Sequence, residues 1–465
     1  MIRTIYQHLL PLSVRTAAGQ CRNRLRQWQW RIARKMPFNM YWRGMRRACK
    51  TGYTEGKRRE LARILQQKGT LTVAFQVTCM AKWKADSLLA AMQRHPTFKP
   101  LVWLVPYLGK SPREIEREWN RCASFFREQG TKIVKYGRME DFPAEWRPDL
   151  IFPSEPYNTG VYDAPYNRGL LDRLFCFLPY GFTSTGSALN YNQVINNGAV
   201  FAFLENEVSY RTACRLMDNG GRNAVCTGQA MADMFLFPPR PHPQAWKDCG
   251  CGLKRVIWAP HWSITDDASW LRFGTFLKTG EAMLELARTH AGDIQFAFKP
   301  HPNLYSALCE HPQWGKERTD EFYRSWREMP NSQLEDGEYA ALFMQSDAMI
   351  HDCGSFIQEY LFADKPCMYL REGLGFQGYS DMAEDCLNAY QIGITREEIE
   401  EFLQMVLRGE DPQAEVRRQL RERYLMPPHG KSAAQNIIDC LLMQEGNATE
   451  CREAYRTHAG DNVKP

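Results

Sequence analysis

Three short apolar runs in the second half of the chain end in polar side chains that could bind or activate a phosphorylated substrate. The runs are "KRVIWAP" (254–260), "IQFAFKP" (294–300) and "DAMIH" (347–351), and each is typical of a buried strand. Because the carboxyl ends of parallel strands meet at one edge of a sheet, we expect the residues that follow them to lie together. These residues are His261 and Ser263, then Lys299, His301 and Asn303, then Asp352, Gly354 and Ser355.

The third strand end runs directly into a predicted helix. A helix N-terminus has unpaired N–H groups and about half a positive charge, so it attracts a phosphate. We therefore predict that Gly354, Ser355 and Phe356 bind a diphosphate, with the glycine allowing its close approach to the backbone. Glu359, one helical turn further on, is predicted to accept ribose hydroxyls. Asp352 is either part of this ribose site or a structural acid.

The other two strand ends are predicted to complete the site. Lys299, His301 and Asn303 would bring cationic or hydrogen-bonding groups to the diphosphate from an adjacent strand, and His301 would also stabilise the leaving phosphate. His261 is the candidate general base, because an imidazole titrates close to neutral pH. Structural alternatives remain open: His261 could be a hydrogen-bonded loop histidine, and Ser355 could be a helix cap.

Neither a metal ion nor a cofactor is expected. No Asp-x-Asp motif stands at a strand end, and no CxxC pair is followed by a second pair or by a pair of histidines. The fifteen cysteines are scattered along the chain, which is typical of reduced thiols in a cytoplasmic protein.

The elements that would position these residues follow an α/β pattern. Short apolar runs alternate with longer amphipathic segments from residue 70 onward, which predicts parallel sheets covered on both faces. Four prolines and two glycines within 236–252 indicate a hinge. We therefore predict two α/β units that face a cleft, preceded by a basic helical arm. The predicted boundaries are 1–60 for the arm, 61–240 for the first unit, 241–252 for the hinge, 253–445 for the second unit and 446–465 for a tail.

Residues 1–60 carry a charge that the rest of the chain does not share. They contain fifteen Lys and Arg against two Glu, a net of +13, whereas the whole chain is +6, so the remainder carries −7. Arginines interleaved with tryptophans suit an anionic membrane surface. A basic helix packed on its own body and a nucleic-acid arm are the alternatives. The acidic remainder argues against a nucleic-acid partner. The sequence has no run of 18 apolar residues, so no transmembrane helix is expected.

The motifs of the second half resemble those of a known family. "IQFAFKPHPNL" and the later "SDAMIHDCGSFIQEYLFADKPCMYL" look like motifs of the CDP-glycerol glycerophosphotransferase family, the teichoic acid polymerases and primases. The resemblance covers about residues 70–440 and is strongest over 254–370. The matching positions are Lys299, His301, Pro302, Ser346, Asp347, Asp352, Ser355, Glu359, Asp364, Lys365 and Pro366.

The resemblance implies a GT-B fold, in which 61–240 is a Rossmann-like acceptor domain and 253–445 is a Rossmann-like nucleotide donor domain. It implies the transfer of a glycerophosphate, or a related polyol phosphate, from a CDP-linked donor. It also implies a membrane-associated glycan acceptor and a peripheral location on the inner face of the cell membrane, which the basic arm fits independently.

Three departures from the family pattern keep other functions open. Asn303 stands where the family often has arginine, Gly354 precedes Ser355 where it has two serines, and Tyr180–Gly181 replaces its His-Gly motif. The first alternative is a GT-B glycosyltransferase that uses a nucleotide sugar for capsule or lipopolysaccharide synthesis. The second is a non-catalytic membrane assembly protein with the same fold.

Overall fold

The computed structural model describes residues 53–106, 111–135, 142–153, 173–238, 241–250, 252–264, 273–335, 337, 339–373 and 378–443. Most of the predicted basic arm and all of the predicted tail lie outside these residues. Residues 53–60, the end of the arm, form the start of the first described helix. Within the described residues no helix has the length and apolar character needed to cross a membrane.

The first unit is built on a parallel sheet. Strands β1 to β4 have the order β3-β2-β1-β4, and isolated bridges at Phe175 and Phe177 connect β4 to the pair β5-β6. Apolar residues fill β1 except at Thr72 and Gln76, as expected for a central strand covered on both faces. The strands are β1 Leu71–Val77, β2 Phe98–Leu104, β3 Lys132–Val134, β4 Leu150–Phe152, β5 Ala202–Leu204 and β6 Ala224–Cys226.

Helices cover both faces of this sheet. The third of them shows how the sequence sets a boundary: Ser111 and Glu114 form a capping box around Pro112 at the first helical position. The helices are α1 Tyr53–Lys68, α2 Asp86–Arg94, α3 Pro112–Glu128, α4 Ala188–Tyr191, α5 Val194–Gly198, α6 Glu207–Leu216 and α7 Asp233–Leu236.

The second unit repeats the design with six parallel strands in the order β12-β11-β10-β7-β8-β9. This is the doubly wound order 3-2-1-4-5-6 of a nucleotide-binding fold, counted from β7. The sequence indicated four of these strands, whereas β9 and β12 have only three residues each and give no apolar run. The strands are β7 Lys254–Ala259, β8 Ile294–Phe298, β9 Ser332–Leu334, β10 Ala348–His351, β11 Cys367–Leu370 and β12 Gln391–Gly393.

The helices of the second half pack around this sheet, with one exception. They are α8 Phe276–Thr289, α9 Leu304–Glu310, α10 Gly315–Glu328, α11 Ala340–Met344, α12 Phe356–Glu359, α13 Asp381–Leu387, α14 Arg396–Leu407, α15 Ala414–Tyr424 and α16 Ala433–Leu441. The exception is α16, whose buried residues belong to the core of the first unit.

Helix α16 is anchored from the first unit. Asp233 accepts hydrogen bonds from the N–H groups of Ala433 (2.9 Å) and Ala434 (2.8 Å), which satisfies the start of the helix. The predicted boundary of 253–445 assigns this segment to the second unit, because its apolar pattern does not say which core it joins. The structure places it in the core of the first unit, beside α2.

The two units also pack directly on each other. A loop of the first unit runs beside a loop of the second, where the Gly186 N–H donates to the Gly378 carbonyl oxygen (2.9 Å). Apolar side chains of both units share one core, in which the rings of Phe235 and Phe362 stack with centroids 5.0 Å apart. The carboxyl edge of the second sheet is therefore held against the first unit.

Candidate active site

The strand order decides which of the predicted residues are neighbours. At the carboxyl edge the strands run β10, β7, β8, followed by Asp352, His261 and Lys299 respectively. The prediction that β8 lies next to β10 is wrong, because β7 runs between them, separating the two by about 10 Å. His261 therefore occupies the centre of the three strand ends.

His261 is held in one orientation and one tautomer by Ser263. The serine hydroxyl accepts hydrogen bonds from the N–H groups of Phe273 and Gly274, both at 3.1 Å. Its own hydrogen is therefore free to be donated to Nδ1 of His261, 2.8 Å away, and the Ser263 N–H points to the same nitrogen at 3.2 Å. A neutral imidazole whose Nδ1 accepts must carry its hydrogen on Nε2.

His301 is oriented by the same local device. The backbone N–H of Asn303 donates to its Nδ1 at 3.1 Å, so its Nε2 also carries the hydrogen. The side chain of Asn303 is exposed and makes no capping bond at the start of α9. The rings of His261 and His301 lie 5.0 Å apart by their centroids. The structure thus brings two Nε2–H donors together.

Both imidazoles are neutral at physiological pH. Burial lowers the pKa of His261 to about 3, with a further contribution from the nearby His301, and burial lowers the pKa of His301 to about 4. The predicted base role of His261 assumed a pKa close to neutral and a free nitrogen lone pair. The observed hydrogen bonds favour a different role, that of a neutral donor to an anionic oxygen.

Asp352 holds the strand ends together. Its carboxylate accepts hydrogen bonds from the backbone N–H groups of His261 (2.5 Å) and Thr275 (2.6 Å) and from the Thr275 hydroxyl (2.9 Å). The side chain is fully buried, and burial raises its pKa to about 7 despite these three donors. These contacts are those of a structural acid, the second of the two predicted roles.

The turn after Asp352 differs in detail from the predicted helix start. Helix α12 has only four residues and continues as a 3-10 turn over Tyr360–Ala363, which weakens the expected dipole. Ser355 makes no capping bond and is exposed, so its hydroxyl faces outward. Gly354 is required by packing, because a Cβ there would lie 2.9 Å from the ring of Phe273.

Glu359 and Lys299 meet at the ring of Tyr339. Glu359 is buried and accepts a hydrogen bond from the Tyr339 hydroxyl. Lys299 donates to the carbonyl oxygen of Gly337 (3.0 Å), and its Nζ lies 5.6 Å from the centroid of the Tyr339 ring. From the first unit, the Nζ of Lys84 lies 4.4 Å from the same centroid. Glu359 is thus the centre of a polar cluster that joins both units.

Burial raises the pKa of Glu359 to about 7, although Lys84, Tyr339 and Lys299 act to lower it. The folded carboxyl therefore keeps its proton between about pH 4.5 and 7, where the unfolded one has lost it. Its contribution to the free energy of unfolding falls as the pH rises through this window.

We expect Glu359→Gln to make the pH dependence of stability shallower, with a gain of about 2 kcal/mol in the free energy of unfolding at pH 8.

Urea denaturation of both proteins at several pH values measures this change. An unchanged slope, or a Gln variant that is much less stable at pH 8, would show that the carboxylate is charged and paired in the folded protein.

Three residues near the site were not among the predicted ones. Ser184 of the first unit donates to the Gly354 carbonyl oxygen (2.8 Å), which fixes the turn from across the cleft. Tyr339 lies in a loop with no motif of its own. Arg371 directly follows β11, next to β10, and its Nε is buried without a partner among the described residues. The position of Arg371 after "PCMYL" was the one available signal, and it offers the guanidinium that Asn303 lacks.

Comparison with known proteins places this geometry in a fold class. No protein-family model matches the chain, and no curated protein matches it by sequence. Among solved structures, the wall teichoic acid polymerase TagF is 14% identical with a TM-score of 0.51, covering 90% of this chain and 99% of that chain.

Two UDP-GlcNAc 2-epimerases are similar to the same degree. The enzyme from Methanocaldococcus jannaschii, in complex with UDP-GlcNAc and UDP, is 12% identical with a TM-score of 0.51, over 80% of this chain and 99% of that chain. The enzyme from Neisseria meningitidis, bound to UDP-GlcNAc, is 14% identical with a TM-score of 0.50, over 80% and 99%. The chain has a GT-B-like α/β fold, as predicted, and these identities show the fold alone.

Proposed function

We propose that this protein is a transferase that moves a glycerophosphate or similar polyol-phosphate unit from a CDP-linked donor to a membrane-associated glycan or polymer acceptor. The observation that supports it is the pair of neutral imidazoles, His261 and His301, oriented so that both donate from Nε2 at the carboxyl edge of the second sheet. An edge of this kind is where a doubly wound fold binds a nucleotide. The resemblance in motifs and the fold shared with a wall teichoic acid polymerase agree with this proposal.

The proposed reaction is an in-line displacement at the β-phosphorus of the donor. An acceptor hydroxyl attacks, the bond to the bridging oxygen breaks, and CMP leaves with the bonding electron pair while a base takes the hydroxyl proton. Such reactions depend on positioning and on neutralising charge. His261 and His301 would donate to the diphosphate oxygens, together with the Ser355 hydroxyl and the backbone of Gly354 and Phe356.

The remaining residues take supporting roles in this proposal. Asn303 orients His301 through its backbone N–H, and Arg371 would add a positive charge at the end of β11, the strand next to β10. Lys299 and Glu359 belong to the Tyr339 cluster, so they would reach the donor only through that cluster or after it rearranges. Asp352 holds the strand ends.

The cellular setting remains part of the proposal. Residues 1–60 would bind the anionic inner surface of the cell membrane, which places the enzyme beside its acceptor. A role in cell-surface polysaccharide or teichoic-acid-like biosynthesis follows from such an acceptor. No nucleic-acid partner is proposed.

One observation favours a second candidate, a nucleotide-sugar enzyme. Two of the similar structures are described as bound to UDP-GlcNAc, and they share the fold to the same extent as the polymerase. The same pair of imidazoles would accept the diphosphate of a UDP sugar.

Calorimetric titration of the purified full-length protein with CDP, CMP, UDP and UDP-GlcNAc separates these candidates. We expect CDP to bind more tightly than UDP, and labelled CDP-glycerol to release CMP when a glycan acceptor is added. Tighter binding of UDP and UDP-GlcNAc would support the nucleotide-sugar enzyme instead. Binding of no nucleotide at all would contradict both and leave a non-catalytic assembly protein.

A further inference from the structure

Gln76 is an isolated polar side chain inside the first unit. It stands one residue before the carboxyl end of β1, the central strand, and is only 2% exposed. Neither its Nε2 nor its Oε1 has a hydrogen-bond partner among the described residues. A buried amide with both ends unpaired is unfavourable in the folded state. Folding stability therefore does not explain a glutamine at this position, whereas a bound ligand would.

A pocket opens beside this amide at the carboxyl edge of the first sheet. Its walls are mainly apolar and include Phe75, Trp83 and Phe152, and Gln76 is one of its lining residues. Lys82 and Lys84 also line it, and none of its described lining residues is acidic. The pocket therefore combines two positive charges with an amide that can both donate and accept.

The position of the pocket links it to the candidate active site. Lys84, on its rim, extends toward the second unit and lies over the ring of Tyr339, which bonds to Glu359. Glu359 also lies close to the backbone of Gly181, since a Cβ at that glycine would be 3.7 Å from its Oε1. A group bound beside Gln76 thus lies on the side of the cleft that faces the second sheet.

We propose that Gln76 binds a hydroxyl-bearing, phosphorylated terminal group of the acceptor and selects it for transfer. The amide carbonyl accepts from a hydroxyl, the amide NH2 donates to a neighbouring hydroxyl oxygen, and the lysines attract the phosphate. Gln76 thereby becomes a specificity-determining residue of the pocket. This inference rests on the proposed transferase function, which supplies the acceptor.

The test uses sn-glycerol 3-phosphate as probe, titrated into the full-length protein with CDP present at saturation to keep the donor site occupied. We expect the wild-type protein to bind it more tightly than inorganic phosphate or glycerol. The near-isosteric Gln76→Met should weaken this binding at least about tenfold while leaving the affinity for CDP unchanged. It should also raise the melting temperature by about 2 °C, because it removes an unpaired buried amide.

A matched control is Gln295→Met. Gln295 is equally buried in the second sheet, but its Nε2 donates to the Lys247 carbonyl oxygen at 2.7 Å. We expect this change to lower the melting temperature and to leave the affinity for glycerol 3-phosphate unaltered. The opposite signs of the two temperature shifts separate a ligand-binding amide from a structural one.

Three outcomes would overturn the inference. The first is wild-type protein that binds CDP but not glycerol 3-phosphate. The second is a Gln76→Met variant with the wild-type affinity for glycerol 3-phosphate, and the third is a Gln76→Met variant that melts at a lower temperature. In each of these cases the proposed function stands if CDP still binds. A failure of CDP to bind contradicts the proposed function itself, and the two failures are therefore distinguishable.

Discussion

Replacing Asp352 with alanine is expected to lower the free energy of unfolding by roughly 3–5 kcal/mol, the largest stability change we expect at the site. The fully buried carboxylate satisfies the N–H groups of His261 and Thr275 and the hydroxyl of Thr275. Alanine would leave all three donors without a partner and would release the loop that carries His261. Urea denaturation followed by tryptophan fluorescence measures the loss, and CDP titration measures the accompanying fall in affinity.

Asp347→Ala is the control, because Asp347 lies at the other end of strand β10. Its carboxylate accepts from the Arg255 N–H at 2.8 Å and pairs with Lys254 at 3.4 Å, but the side chain is about a third exposed. Water replaces these contacts, so we expect a loss of about 1 kcal/mol or less. Equal effects of the two substitutions would contradict the structural role given to Asp352.

Replacing His261 with alanine is expected to lower kcat/KM for transfer by about 10²–10³, the largest change in activity we expect from a single residue. This is the usual effect of removing one fixed donor to a developing negative charge. Glutamine places an N–H close to the position of the imidazole Nε2. We therefore expect His261→Gln to recover a large part of the lost activity, which would support a donor and not a base.

Steady-state kinetics with a CDP-linked donor, over a range of pH, makes the comparison. Because burial lowers the pKa of His261 to about 3 and that of His301 to about 4, neither imidazole should produce an inflection between about pH 5 and 8. His311→Ala is a control: its Nδ1 accepts from the Gln313 N–H in the same way, but it lies at the end of α9, away from the site. Glutamine and alanine variants that are equally inactive would support the predicted base.

Much of the fold could be predicted from local sequence. Runs such as "IQFAFKP" and "LTVAFQV" are short, apolar and bounded by turn residues, so each indicates a strand without reference to the rest of the chain. The strands β9 and β12 could not be predicted, because three residues are too few to show a periodic pattern. The packing of α16 in the core of the first unit could not be predicted either, because an amphipathic helix can pack on any apolar surface within its reach.

The sequence predicted which residues meet at this sheet edge better than it predicted what each of them does there. His261, His301, Asp352 and Ser355 come to the same sheet edge because each directly follows a parallel strand, a rule that acts within a few residues. Their roles depend on contacts from distant segments. Ser263 and Asn303 fix the tautomers, and burial shifts the pKa values.

The sequence by itself determined that this is an α/β protein with two units. It also determined which strands are followed by polar side chains that could take part in chemistry. It could do so because apolar periodicity and turn residues act locally along the chain. Only the tertiary structure decided that β7 separates β8 from β10, that Glu359 is buried against Tyr339 and Lys84, and that Gln76 lines a pocket. These facts depend on strand order and on packing between segments far apart in the chain, and desolvation and hydrogen bonding then set the charge and direction of each group.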